Sequence, residues 1–223
     1  MSQNIFSDKI ELLVLDLDGT VFGNSRLLIE EIENIRNLVD SGVRIVISSG
    51  RTLHYVLGIT RCLGLEDIVI CEEGTVTYDC RNHELILLGE QKDLILLKNN
   101  LSSWLPFCII PKEAHHDKNV IIALDREPRI NVDDFLNEVS EVLSEKNLDL
   151  NLTRSDEMIN LMPPNITKGY ALDKVLKSEK INPNSVVAIG DSLNDLSVFD
   201  LSLIHISEPT RRTPMSYAVF CLK

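Results

Sequence analysis

The sequence has no CxxC pair. Its five cysteines, Cys62, Cys71, Cys80, Cys108 and Cys221, are odd in number and widely spaced. That pattern gives neither a zinc site nor a disulfide framework, and it suits a reducing compartment. No apolar run approaches the length needed to span a bilayer. The first residues, MSQNIFSDKIELL, are too polar for a secretory signal. The expectation is a soluble, cytoplasmic protein without a membrane partner. Positive charge is also scarce: 22 Lys and Arg stand against 34 Asp and Glu, for a net charge of −12. Such a chain repels a phosphate backbone, which argues against a nucleic-acid partner. A small phosphorylated molecule is not excluded, because a few local cations or a metal ion can reverse the field inside one cleft. Internal repeats and low-complexity tracts are absent too.

What is present is a 223-residue chain, 44% hydrophobic, long enough for a core and a second module. Residues 10–15 read as a strand. The segment SRLLIEEIENIRNLVDSG follows, with Leu28, Ile32, Ile35 and Val39 at helical spacing and Gly42 as a stop. VRIVIS, the helical TLHYVLGITRCLG and the strand IVIC continue the alternation. Near-continuous apolar strands alternating with helices predict an α/β fold, a doubly wound parallel sheet covered on both faces. After Gly74 the rhythm changes. A hairpin around Arg81–His83, a helix near 91–104, strands near 107–110 and 120–124, a helix near 132–146 and two short strands predict an inserted α+β unit ending at Pro163 and Pro164. The expected division is core 1–78, insert 79–163 and core again 164–200.

The chemistry-bearing residues cluster at strand ends. Asp16 and Asp18 follow an apolar run, and residues two apart in a strand point the same way. Both carboxylates are expected to project together from the edge where open parallel sheets bind ligands. Two such groups repel unless a cation or a shared proton intervenes, and an oxygen-rich set favours magnesium. A polar turn after a buried strand is the plainer explanation. VAIGDSLND repeats the pattern with Asp191, Asn194 and Asp195, although a helix cap would also fit. Ser49 and Gly50, followed by Arg51, end another strand and offer a hydroxyl and a close backbone approach, or simply a strand-to-helix turn. Lys168 opens a helix, against the dipole. It is either a solvated charge or the partner of an anion. His115 and His116 fall in a polar loop, Trp104 is expected to pack its helix, and Arg126 and Arg129 are looser candidates for holding an anion.

Taken in order, DLDGT, Ser49 before GR, Lys168 in TKG, and GDSLND resemble the four motifs of the haloacid dehalogenase superfamily. The match covers residues 10–200, and the insert resembles the C2-type cap of its Cof-like, IIB branch. The resemblance implies a magnesium-dependent phosphatase of the cytoplasm acting on a small phosphorylated metabolite, a sugar phosphate or phosphoglycolate. Asp16 would be the nucleophile. Asp18 would protonate the leaving alkoxide and then activate water. Ser49 and Lys168 would bind the phosphoryl oxygens, with Gly50, Arg51 and Asn194 on the substrate. The metal would rest on Asp16, the Asp18 backbone carbonyl and Asp191, with Asp195 orienting its shell. A phosphomutase of the phosphomannomutase type and a truncated, inactive member are the alternatives. The last segment departs from the pattern: residues 201–223 carry three Lys and Arg and one Asp or Glu, and SLIHISEPTRR resembles a foreign or frameshifted ending. The tail, interrupted by Pro209 and Pro214, is therefore expected not to form closing strands of the sheet.

Overall fold

The computed structural model describes residues 10–22, 27–109, 118–126, 130–155, 158–202 and 204–207. The chain forms two compact units, Met1–Ile86 with Thr167–Lys223, and Leu87–Ile166. The first contains a seven-stranded sheet in the order β11-β10-β1-β2-β3-β4-β5. Its strands are β1 (Leu12–Leu15), β2 (Arg44–Ser48), β3 (Ile68–Cys71), β4 (Val76–Asp79), β5 (Glu84–Leu87), β10 (Val186–Gly190) and β11 (Ile204–Ser207). The strands from β11 to β3 pair in parallel, and β4 turns back antiparallel on β3. Every residue of β1 and β3 is buried, which explains why these segments read as unbroken apolar runs rather than alternating ones.

Helices α1 (Ile29–Asp40) and α2 (Leu53–Leu63) connect the first three strands and pack on each other. Helix α2 buries Leu53, Val56, Thr60 and Leu63 at helical spacing and stops at Gly64 in a left-handed cap. In α1 only Ile35 is fully buried, while Leu28 and Val39, expected on its inner face, stay exposed. Two further helices of this unit, written α5 (Lys168–Glu179) and α6 (Leu196–Phe199) after those of the other unit, pack together. The Thr167 side chain accepts a hydrogen bond from the Tyr170 N–H, which sets the start of α5. The chain moves from β1 to β2 and β3 on one side, and β10 and β11 lie on the other. The strand order therefore reverses between β1 and β10, the switch point beside which open α/β sheets bind ligands.

One expectation is corrected here. Residues 204–207 do extend the sheet: β11 pairs in parallel with β10 from Val187↔Ile204 to Gly190↔Ser207. The Ile-rich LIHIS segment supplies β-branched residues before Pro209 interrupts, and that is long enough for one strand. Residues 208–223, with both prolines, lie outside the described residues.

Among its described residues the second unit has a four-stranded antiparallel sheet, β6-β7-β9-β8, and two helices. In chain order these are α3 (Lys92–Trp104), β6 (Cys108–Ile109), β7 (Ile122–Arg126), α4 (Val132–Glu145), β8 (Asn151–Ser155) and β9 (Met158–Met162). Register places Ile122 and Leu124 opposite Leu161 and Ile159. These four are buried, as are Leu97, Leu101, Phe135 and Val139 of the helices. Trp104 ends α3 with the Lys146 ammonium 5.6 Å from its ring. Along the chain the division between the units falls at 86/87 and 166/167, whereas the sequence rhythm puts the insert at 79–163. Among the described residues, no helix is long and apolar enough to cross a membrane.

At the edge of the first sheet where β2 and β3 begin, charges far apart in sequence converge. Arg44 donates to both oxygens of Asp67 at 2.7 Å and reaches Glu179 at 2.9 Å. Arg81 binds both oxygens of Asp79 and both oxygens of Glu179. The Arg81 hydrogen bonds, opposed by burial and joined by Arg44, hold the Glu179 carboxyl below its ordinary value. A depressed carboxylate stabilises the fold above its unfolded value of 4.5 and loses that contribution as pH falls through the folded one. Glu179→Gln should therefore cost about 1–2 kcal/mol at pH 7, discounted because the Arg81 side chain is 40% exposed. Urea midpoints for the two proteins should converge on acidification. A gap that persists well below pH 4.5 would contradict this.

Candidate active site

Asp16 follows the last residue of β1, and its N–H donates to the Ile189 carbonyl of β10 at 3.0 Å. Its backbone is thus pinned at the switch point. Its side chain is buried, as are those of Lys168 and Asp195. The Lys168 ammonium donates to Asp16 Oδ1 and to Asp195 Oδ1, both at 2.8 Å. The other Asp195 oxygen accepts from the Ser192 N–H at 3.0 Å and the Ser192 hydroxyl at 2.9 Å. The loop after β10 is thereby tied to the start of α5.

Asp191 stands beside this group. Its Oδ1 is buried without a hydrogen-bond partner among the described residues. One oxygen each from Asp16, Asp191 and Asp195 lie within 4.8 Å of one another. Gly19, at φ +88°, runs so close that a Cβ there would occupy the Asp191 carboxylate. Both the backbone conformation and the space require glycine. An all-oxygen carboxylate set with an orphaned acceptor fits a hard divalent cation of the magnesium type.

Asp18 departs from the expected arrangement. It does not project with Asp16 into the buried cluster. The strand ends at Leu15, so the two-residue period no longer governs it. Its carboxylate lies at the surface, bound by Arg51 Nε and a second Arg51 nitrogen at 2.7 and 2.9 Å. The Arg51 guanidinium also sits 5.3 Å from the Tyr55 ring. Ser49 is fully buried, and its hydroxyl accepts from the Arg51 N–H at 3.2 Å. Because β2 is parallel to β1, Ser49 and Gly50 come off the same sheet edge as Asp16. Asn194 lies exposed in the Leu193–Asp195 turn, apart from the Lys168 contacts. In the second unit Arg126 Nε donates to the Ile130 carbonyl at 2.8 Å. His115, His116 and Arg129 lie outside the described residues.

The electrostatics follow from burial. Desolvation pushes the Asp16 carboxyl up to about 7; Lys168 opposes this, while Asp195 and Asp191 add to it. Asp191 is raised for the same leading reason, then by Asp195. Burial works against the Lys168 charge, but Asp16, Asp195 and Glu73 outweigh it and lift the ammonium above its ordinary value. One buried cation thus faces three clustered carboxylates, an excess of negative charge that a divalent cation would relieve.

Sequence reasoning missed two features of the site. The Arg51–Asp18 pair joins residues 33 apart, and nothing local signals it. The Glu72–Gly74 turn after β3 was passed over, although two glutamates before a glycine at a strand end were legible in IVICEEGT.

A family model described as haloacid dehalogenase-like hydrolase matches residues 13–94 and 107–206. The match ends within β11. A phosphoglycolate phosphatase of Nitrosopumilus maritimus is 27% identical over 201 residues, spanning 87% of this chain and 81% of that protein. A 5-amino-6-(5-phospho-D-ribitylamino)uracil phosphatase of Bacillus subtilis is 31% identical over 207 residues, spanning 85% and 80%. Among solved structures, a haloacid dehalogenase-like hydrolase from Bacteroides thetaiotaomicron superposes with a TM-score of 0.72 at 18% identity, covering 89% of this chain and 88% of that one.

Proposed function

The chain belongs to the haloacid dehalogenase-like hydrolases, and from that premise we propose that it is a magnesium-dependent phosphatase of a small phosphorylated metabolite. The observation that carries this reading is the buried Asp16, fixed at the end of β1 by Lys168 and flanked by Asp191 and Asp195. An Asp16 oxygen attacks phosphorus and forms an aspartyl-phosphate as the alkoxide departs. Asp18 gives that alkoxide its proton, then takes one from the water that attacks the phosphorus and frees Asp16. Both Asp18 oxygens are held by Arg51, so this role requires the pair to open. Arg51 is then free to turn to an anionic group of the substrate. Ser49 and Lys168 hold phosphoryl oxygens, and Asn194 with the Gly50 backbone borders the substrate. Asp16, Asp191 and the Asp18 carbonyl would hold the ion, with Asp195 steadying them, and the ion would neutralise charge between the nucleophile and the phosphoryl group.

The similar proteins named above, a phosphoglycolate phosphatase and a phosphatase of a phosphorylated ribitylamino compound, favour a small phosphorylated substrate such as phosphoglycolate or a sugar phosphate. The test is phosphate release from a panel of such compounds with magnesium. Release is expected to stop with chelator and return with magnesium. Calcium should restore little of it, because it favours more ligands and looser geometry. Full turnover after exhaustive metal removal would refute the metal assignment. Conversion of one phosphate isomer to another without free phosphate would indicate a phosphomutase instead.

A further inference from the structure

Among the described residues, six non-glycines have positive φ, and only two of them are consecutive: Glu72 at 49° and Glu73 at 56°. A long side chain in this region is uncommon, and two in a row store strain that the surroundings must hold. Here they do. The Thr75 N–H and hydroxyl both donate to the Glu72 carbonyl, at 3.0 and 2.7 Å. The Glu72 N–H donates to the Arg51 carbonyl at 3.1 Å. Gly74, at φ +96°, lies against the Thr167 carbonyl so closely that no Cβ would fit. The turn is wedged between the loop after β2 and the start of α5, the two elements that carry Ser49 and Lys168.

The Glu73 side chain points back into this junction. Its Oε1 lies where a Cβ on Gly50 would stand. Its charge is also one of those acting on Lys168. A fixed anion therefore borders the groups assigned to the phosphoryl oxygens.

We propose that Glu73 weakens phosphoryl binding: the strained turn holds its carboxylate against Gly50, where it opposes a phosphate dianion and promotes release of inorganic phosphate. The inference rests on the phosphatase reading. A like charge beside both bound substrate and bound product penalises them alike. Its removal tightens both without speeding the chemical step. Tighter product then slows turnover wherever release limits it.

The experiment titrates inorganic phosphate into the magnesium-loaded full chain by calorimetry and follows an aryl phosphate by steady-state kinetics. Glu73→Gln keeps the shape and removes the charge. It should bind phosphate about tenfold more tightly, lower KM in parallel, and not raise kcat. Glu73→Asn also removes the charge, and asparagine tolerates the left-handed region better. It should share the tighter binding and unfold at a higher temperature. Glu66→Gln, an exposed acid before the start of β3, should change none of these. Unchanged or weaker phosphate binding in Glu73→Gln would overturn the proposal. Absence of both phosphate binding and aryl phosphate turnover in the unaltered protein would overturn the phosphatase reading, and the proposal with it.

Discussion

Asp16→Asn should cut phosphate release by about 10⁴-fold or more, yet raise the unfolding temperature of the metal-free protein. The first effect follows from the proposed mechanism, in which an Asp16 oxygen makes the new bond to phosphorus and an amide cannot replace it. The second follows from burial. Desolvation lifts the Asp16 carboxyl to about 7, so between its unfolded value of 3.8 and about 7 the native state binds the extra proton. Stability therefore falls as pH rises through that window. Asparagine has no charge to desolvate, and Lys168 keeps Asp195 as its partner. The variant should gain most on the wild type at pH 8 and little at pH 4. Phosphate release and thermal unfolding at the two pH values check both halves. Wild-type rates, or a variant less stable than the wild type at pH 8, would contradict the account.

Lys168→Ala carries the second large effect, with the opposite sign for stability. It strips the cation from Asp16 and Asp195, both buried. Breaking one side of a buried ion pair typically costs about 3–5 kcal/mol. In the proposed mechanism Lys168 also holds a phosphoryl oxygen, and on that reading the variant should lose a further 10²–10³ or so in kcat per folded molecule. Two lysines on the same helix give the comparison. Lys177 pairs with Asp173 from a side chain 72% exposed, and Lys174 lies over the Tyr170 ring. Alanine at either should cost at most about 1 kcal/mol and leave kcat unchanged. Denaturant titration with kinetics on the three variants separates them. Equal losses would remove Lys168 from the site.

The sheet and the site differ in how far the sequence exposes them. Strands buried on both faces, such as LLVL and IVIC, announce themselves as apolar runs, and a parallel sheet brings all their carboxyl ends to one edge. Asp16 and Asp191 could be placed on that ground alone. Lys168 at the first position of α5 reads from sequence either as a solvated charge or as the partner of an anion, and its partners, 152 and 27 residues away, are what decide between the two. Asp18 was misplaced because strand periodicity was carried past Leu15, where β1 stops. The network of Arg44, Arg81 and Glu179 was invisible for the same reason as the Lys168 partners: Arg81 and Glu179 are 98 residues apart. The tail misled in the other direction. Its change in charge density drew attention away from a short β-branched segment that pairs with β10.

The most direct test of the central claim is to find the phosphoryl group on the nucleophile. The protein is mixed with magnesium and an aryl phosphate, quenched in acid within the first turnover, and digested, and the peptide that contains both Asp16 and Asp18 is fragmented in the mass spectrometer. The account predicts a phosphoryl adduct on Asp16, absent from Asp16→Asn and present in Asp18→Asn, where the second step is impaired. An adduct on another residue, or rapid phosphate release with none on Asp16, would contradict it.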